Sequence, residues 1–152
     1  MFENYLITSS CGYGNYILTS FDNALFNSKI GNYNLVRVSS ILPAGCRKRS
    51  LINITEGAPL HVAYASITSN EINDRISSAI AVGIPEDTNK VGVIMEFSAH
   101  SSEMDVRRIV ESMVKEAMDR RGYEIKEIVI TSCEAVSTGR EYVTAFSGLA
   151  MW

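Results

Sequence analysis

Val106, Ile109, Val110, Met113, Val114 and Ala117 recur at three- and four-residue spacing, which places them on one face of a helix. Arg107, Arg108, Glu111, Lys115, Glu116 and Asp119 fill the opposite face. Ser102, three residues before Asp105, is an N-cap signal of the capping-box kind with Asp in the usual Glu position. Gly122 supplies a natural stop. A shorter helix is expected with Ser20 as its N-cap and its end near Gly31. Most other patterned segments read as strands: residues 4–9, 15–19, 33–38, 60–67, 91–99, 123–133 and 142–152. Cys11-Gly-Tyr-Gly14 reads as a turn, and residues 39–45 as a strand running into a Pro-Gly turn. Residues 48–57 are polar and irregular. The nearly continuous apolar run 76–84 leaves strand and helix open on periodicity alone; its shortness and Pro85 favour strand. Many strands with few helices, not in strict alternation, predict a layered α+β sandwich rather than a parallel doubly wound sheet.

The length, 152 residues, fits a single domain spanning 1–152. With 46% hydrophobic and 20% charged residues the chain has ordinary globular composition, which excludes disorder and coiled coil. A net charge of −3 argues against a nucleic-acid partner, which needs a basic surface. No apolar run approaches the roughly 20 residues of a membrane span, and the first residues lack a secretory pattern. Three separated cysteines (Cys11, Cys46, Cys133) form no metal-ligand pair and suggest free thiols, so a cytoplasmic protein without a metal site is expected. With only two histidines, the usual catalytic groups are scarce.

Two places could carry chemistry. Ser39-Ser40 sits where the apolar stretch Leu35-Val-Arg-Val38 meets a Pro-Gly turn. Serines at such a junction ordinarily serve the turn, but Asn34 and Asp22 lie upstream. Glu96 falls in mid-strand, alternating onto the face of Gly92 and Ile94. It is either a solvated edge residue or a carboxyl group kept protonated by burial, able to donate a proton. His61 and His100 read as structural or loop residues. Cys133 reads as a buried small hydrophobe, and Cys46 has no neighbouring base to mark it as a nucleophile.

Val36-Arg-Val-Ser-Ser-Ile-Leu-Pro-Ala-Gly-Cys46 resembles the self-cleavage segment of the pyruvoyl-dependent arginine decarboxylases. Ile67-Thr-Ser, Ala81-Val-Gly-Ile-Pro85, Gly92-Val-Ile-Met-Glu-Phe97 and the Ser-capped helix with Met113-Val114 are similar to later blocks of that family, in the same order. The likeness runs from about Leu18 to Val143. Ala44 stands where a second Pro is frequent, and Asn70-Glu-Ile-Asn73 replaces a commoner Pro-Gly turn.

The resemblance implies a four-layer αββα sandwich with mostly antiparallel sheets, assembled as a homotrimer with interfacial active sites. It implies self-cleavage between Ser39 and Ser40 into a β chain, 1–39, and an α chain, 40–152, with Ser40 converted to a covalent pyruvoyl group and Asn34 assisting the processing. That group would replace PLP, forming a Schiff base with the α-amino group of L-arginine and giving agmatine and CO₂, a step toward polyamines. By the same resemblance Glu96 is the proton donor, Asp22 receives the guanidinium, Leu18 and Leu25 line the pocket, and the Ser39 carboxyl end lies nearby. Read without the likeness, Asp22 is an ordinary helix-start carboxylate and the leucines are core residues. Two rival readings are an unprocessed binding or scaffold subunit, and a serine hydrolase using Ser39 or Ser40 with His61. The hydrolase lacks a GxSxG elbow.

Overall fold

The computed structural model describes the whole chain, Met1–Trp152. Its elements are β1 (Asn4–Gly14), α1 (Ile17–Asn27), β2 (Asn34–Arg37), β3 (Ile41–Leu42), β4 (Arg47–Lys48), β5 (Pro59–Ser69), β6 (Arg75–Pro85), β7 (Gly92–Ala99), α2 (Glu103–Arg120), β8 (Ile125–Val136) and β9 (Tyr142–Met151). They form a five-stranded sheet in the order β2-β5-β9-β1-β4 and a four-stranded sheet in the order β3-β7-β6-β8. The second sheet is antiparallel throughout; the first has two parallel pairs, β1–β4 and β2–β5, one at each edge. The expected α+β class with mostly antiparallel sheets is thus observed.

Period-two alternation decides which side of each sheet is covered. In β1, Leu6 packs under α1, whereas Tyr5 and Ile7 face the other sheet. The two sheets share a core in which Tyr5, Ala63 and Leu149 of the first meet Ile80, Val82 and Ile94 of the second. Helix α1 covers the outer face of the first sheet, and α2 lies on the second. Strand β6 is therefore buried on both faces, which is why its sequence is a nearly unbroken apolar run. Its helix-facing positions are small: Ala79, Ala81 and Gly83, where a Cβ would lie 2.6 Å from Val114 Cγ1. Neither helix is long and apolar enough to cross a membrane.

The α2 expectation holds with two refinements. Val106, Val110, Val114 and Met118 are fully buried, while Ile109 is 38% exposed and leaves the stripe. Ser102 Oγ accepts the Asp105 N–H, but the Asp105 carboxylate takes the hydroxyls of Ser101 and Ser102 rather than a backbone N–H, so only half of the capping box forms. These two hydroxyls hold the Asp105 carboxyl below its ordinary range.

The N-terminal third differs from the sequence pattern. Residues 11–14 finish strand β1 instead of turning, and residues 15–19, expected as a strand, lead into and begin α1. Gly12 and Gly14 are present for close approach: a Cβ on Gly12 would sit 2.1 Å from Ala24 N, and one on Gly14 2.6 Å from Thr19 Oγ1. Ser20 is not the N-cap; that position is Tyr16, whose N–H is accepted by Thr19 Oγ1 at 3.2 Å. Ser20 is buried inside the helix, its Oγ donating to Ile17 O and paired with Thr144 Oγ1 at 2.8 Å. The helix stops at Asn27, before Gly31, because Lys29 takes the left-handed conformation (φ 65°) and Ile30 N–H returns to Leu25 O.

Gly12→Ala should therefore lift α1 off its sheet and lower unfolding free energy by about 3 kcal/mol. Urea denaturation checks this; an unchanged midpoint would show that the contact is slack.

Candidate active site

Strand β2 is an edge of the first sheet and β3 an edge of the second, so the chain must change sheets between them. The change takes two residues. Val38 N–H still donates to Val62 O on the first sheet (3.2 Å), and Ser40 C=O already accepts Ile94 N–H on the second (2.8 Å). Ser39, in transit, is exposed, and Ser40 is half-buried. This step stays at the edge, where the two sheets are joined by main chain. Beyond Leu42 a turn with Gly45 at φ 78° and Cys46 N–H on Pro43 O sends the chain back as β4. Ser40 is thereby held on both sides.

Glu96 lies two residues from Ile94 on β7 and, by alternation, faces the gap between the sheets. Two residues further on, Ser98 Oγ donates to Ser66 O of the first sheet at 3.1 Å, so the sheets meet there. Glu96 is half-buried, and burial pushes its carboxyl above the ordinary range, partly offset by the Arg37 guanidinium. Arg37 Nη2 donates to Tyr64 O (3.0 Å), and its guanidinium carbon lies 4.6 Å from the Tyr64 ring centroid. Arg37 and Tyr64 were missed by sequence reasoning. The available signal was a lone cation inside the apolar stretch Leu35-Val-Arg-Val38.

The fold thus brings Ser39, Ser40 and Glu96 to one edge, with Arg37 beside them. It does not bring Asp22, Leu18 or Asn34 of the same chain there. Asp22 is exposed on α1, on the far side of the first sheet from Glu96, and has no ion-pair partner. Leu18 is 74% exposed on the same helix, whereas Leu25 is buried in the cluster beneath it. Asn34 opens β2, and Ser39 lies five residues along, roughly 16 Å of extended chain. Its Nδ2 donates to Gly57 O at 2.7 Å, away from the serines. The principal clefts lie elsewhere; the largest, about 770 Å³, is lined by Phe2, Glu3, Arg47 and Arg49. His61 packs against Phe2, ring centroids 4.8 Å apart, and His100 pairs with Asp74 at 2.9 Å. Neither forms the serine–histidine pair a hydrolase requires.

The model of one family, described as pyruvoyl-dependent arginine decarboxylase, matches residues 4–152. The chain belongs to that family. The pyruvoyl-dependent arginine decarboxylase of Methanocaldococcus jannaschii is 36% identical over 135 residues, covering 89% of this chain and 81% of the relative. That of Methanococcus vannielii is 35% identical with the same coverage. That of Pyrococcus abyssi is 39% identical over 119 residues, 77% of this chain and 75% of the relative. Members of the pyruvoyl-dependent arginine decarboxylase family are decarboxylases whose name states a pyruvoyl group. The Ser39–Ser40 junction suits such a group: its carbonyl is fixed by Ile94, its preceding residue is exposed, and a carboxyl of raised proton affinity shares the edge.

A raised folded-state value means that the fold prefers protonated Glu96. The charged form opposes folding above that value, and the penalty disappears as pH falls below the ordinary carboxylate range. Glu96→Gln should consequently raise the melting temperature at pH 7 and leave it unchanged near pH 4. An equal shift at both pH values would refute the assignment to burial.

Proposed function

We propose that this chain cuts itself between Ser39 and Ser40 and, so processed, decarboxylates L-arginine to agmatine and CO₂, a step toward polyamines. The observation that carries the reading is the Ser39–Ser40 crossover between sheet edges, with the half-buried Glu96 beside it.

In this reading Ser40 Oγ attacks the Ser39 carbonyl carbon. The Ser39–Ser40 C–N bond breaks, the amine takes up the hydroxyl proton, and an ester replaces the amide. Elimination across Cα–Cβ of residue 40 then frees the Ser39 carboxylate, and water displaces the amine as ammonia to leave the pyruvoyl terminus. Anchoring on both sides holds the hydroxyl and carbonyl within one short segment, which favours attack. Asn34 would serve as oxyanion donor. One of its two amide N–H groups is used on Gly57 O at the other end of β2, so the second would serve, at the serines of a neighbouring copy of the chain.

The pyruvoyl group supplies an electrophilic carbonyl for the substrate amine and a sink for the electrons released with CO₂. Glu96, whose affinity for a proton is raised by its burial, delivers a proton to the substrate Cα. Asp22 takes the guanidinium through paired charge-assisted hydrogen bonds, and the Ser39 carboxylate adds to it. Leu18 contacts the aliphatic stem, while Leu25 supports that wall from the core.

Asp22 and Glu96 lie on opposite sides of the first sheet, which favours sites built from two copies. The unpaired edge of β2 and the exposed Ile17, Leu18, Phe26 and Val36 suit such contacts. We further infer a homotrimer in the cytoplasm, with each protomer a four-layer αββα sandwich; the family likeness supports this reading.

Reducing denaturing electrophoresis with intact mass should give pieces of 39 and 113 residues, the larger with a carbonyl-bearing N-terminus. A single intact chain with full activity would sink the reading. Ser40→Ala should remain uncut. Glu96→Gln should be cut normally yet lose about 10²–10⁴-fold in kcat. Asp22→Asn should raise KM for arginine by about tenfold or more, because a charge-assisted hydrogen bond is worth about 1.5–3 kcal/mol. An unchanged KM would count against the guanidinium assignment.

A further inference from the structure

Two cysteines left without a role face one another across the gap between the sheets. In β1 the residues directed at the second sheet are Tyr5, Ile7 and Ser9, so Cys11 is next in line. In β8, Val129 and Thr131 face the first sheet, and Cys133 follows. The two strands touch at the preceding step: Ser9 Oγ lies 2.7 Å from Thr131 Oγ1 and donates to Ser132 O at 2.8 Å. At the next step Cys133 Sγ lies 3.3 Å from Ser10 O, the carbonyl bonded to Cys11 N, and 3.3 Å from Phe146 O. Phe146 neighbours Ala145, the β9 partner of Cys11. Both sulfurs join one cluster with Ile67, Ile76 and Val143, and both residues are partly solvent-accessible.

Ordinary stacked sheets are about 10 Å apart, too far for a disulfide, which needs Cα atoms about 4.4–6.8 Å apart. The hydroxyl contact one step away brings these strands closer than that spacing. Each thiol also acts on the other: Cys133 beside it holds the Cys11 thiol below its ordinary value, and Cys11 together with burial pushes Cys133 up.

We propose that Cys11 and Cys133 are a redox-modifiable pair which a low-molecular-weight disulfide oxidises to an inter-sheet bridge. The Cys11 thiolate attacks the small disulfide and displaces one thiol, forming a mixed disulfide. Cys133 then loses its proton, attacks the Cys11 sulfur and expels the second thiol. The protein gives up two electrons and two protons, and the small disulfide becomes two thiols. If the Ser39–Ser40 cut proposed above occurs, this bridge ties residues 1–39 covalently to residues 40–152; the bridge itself does not depend on the cut.

The folded protein is treated with oxidised glutathione, and then its thiols are counted and its peptides mapped. The three titratable thiols should fall to one, Cys46, with a peptide linking Cys11 to Cys133. On non-reducing denaturing gels the cut protein should run as one band and separate into two after reduction. Cys11→Ser and Cys133→Ser should each abolish the link, and Cys46→Ser should keep it. In uncut Ser40→Ala the linked peptide should still form, which separates failure of the bridge from failure of the cut. Three persistent thiols, glutathione retained on Cys11 alone, or a link through Cys46 would each overturn the proposal.

Discussion

The structure turns on one main-chain step. Val38 ends its hydrogen bonding on the first sheet and Ser40 begins its own on the second, leaving Ser39 as the whole connection. Hydrophobic burial holds the sheets face to face through Tyr5, Ala63 and Leu149 against Ile80, Val82 and Ile94. That packing fixes where the edges of β2 and β3 lie, and so the path of the joining segment. Ser40 is presented by a scaffold of two sheets rather than by a flexible loop, as accurate placement of a reacting group requires.

The same layering separates two carboxylates of one chain. Glu96 draws its raised proton affinity from partial burial between the sheets. Asp22 stands in the opposite environment, exposed on α1 on the far side of the first sheet. The first sheet lies between them, so within one chain the two groups do not meet. In the proposed assembly, the exposed Ile17, Leu18, Phe26 and Val36 would supply the contact between copies.

Features set by local spacing were legible in the sequence. The α2 stripe, its Ser102 cap and its Gly122 stop follow from helical periodicity, and β6 reads as a strand because both of its faces are covered. The errors cluster where tertiary contact overrides local preference. Gly12 and Gly14 suggest a turn, yet they are small because a helix presses on them. Ile17 and Thr19 look strand-like, yet they open α1, and Ser20 exchanges a capping role for a buried bond to Thr144. At the candidate site, the likeness to a family brought out the serines and Glu96. The Arg37–Tyr64 contact and the facing of Cys11 and Cys133 depend on strands far apart in sequence, and no local pattern encodes them.

Strand β9 supplies a last consequence. It is the final element of the chain, yet it lies in the middle of the first sheet, hydrogen-bonded to β5 on one side and β1 on the other. During synthesis the first sheet cannot close until those residues have left the ribosome, because β1 and β5 have no direct contact to hold them in register. Val62, which anchors Val38, sits on β5 opposite Ala150. The serine junction therefore acquires its geometry only once β9 is in place, and a polypeptide lacking that strand carries Ser39 and Ser40 without their frame.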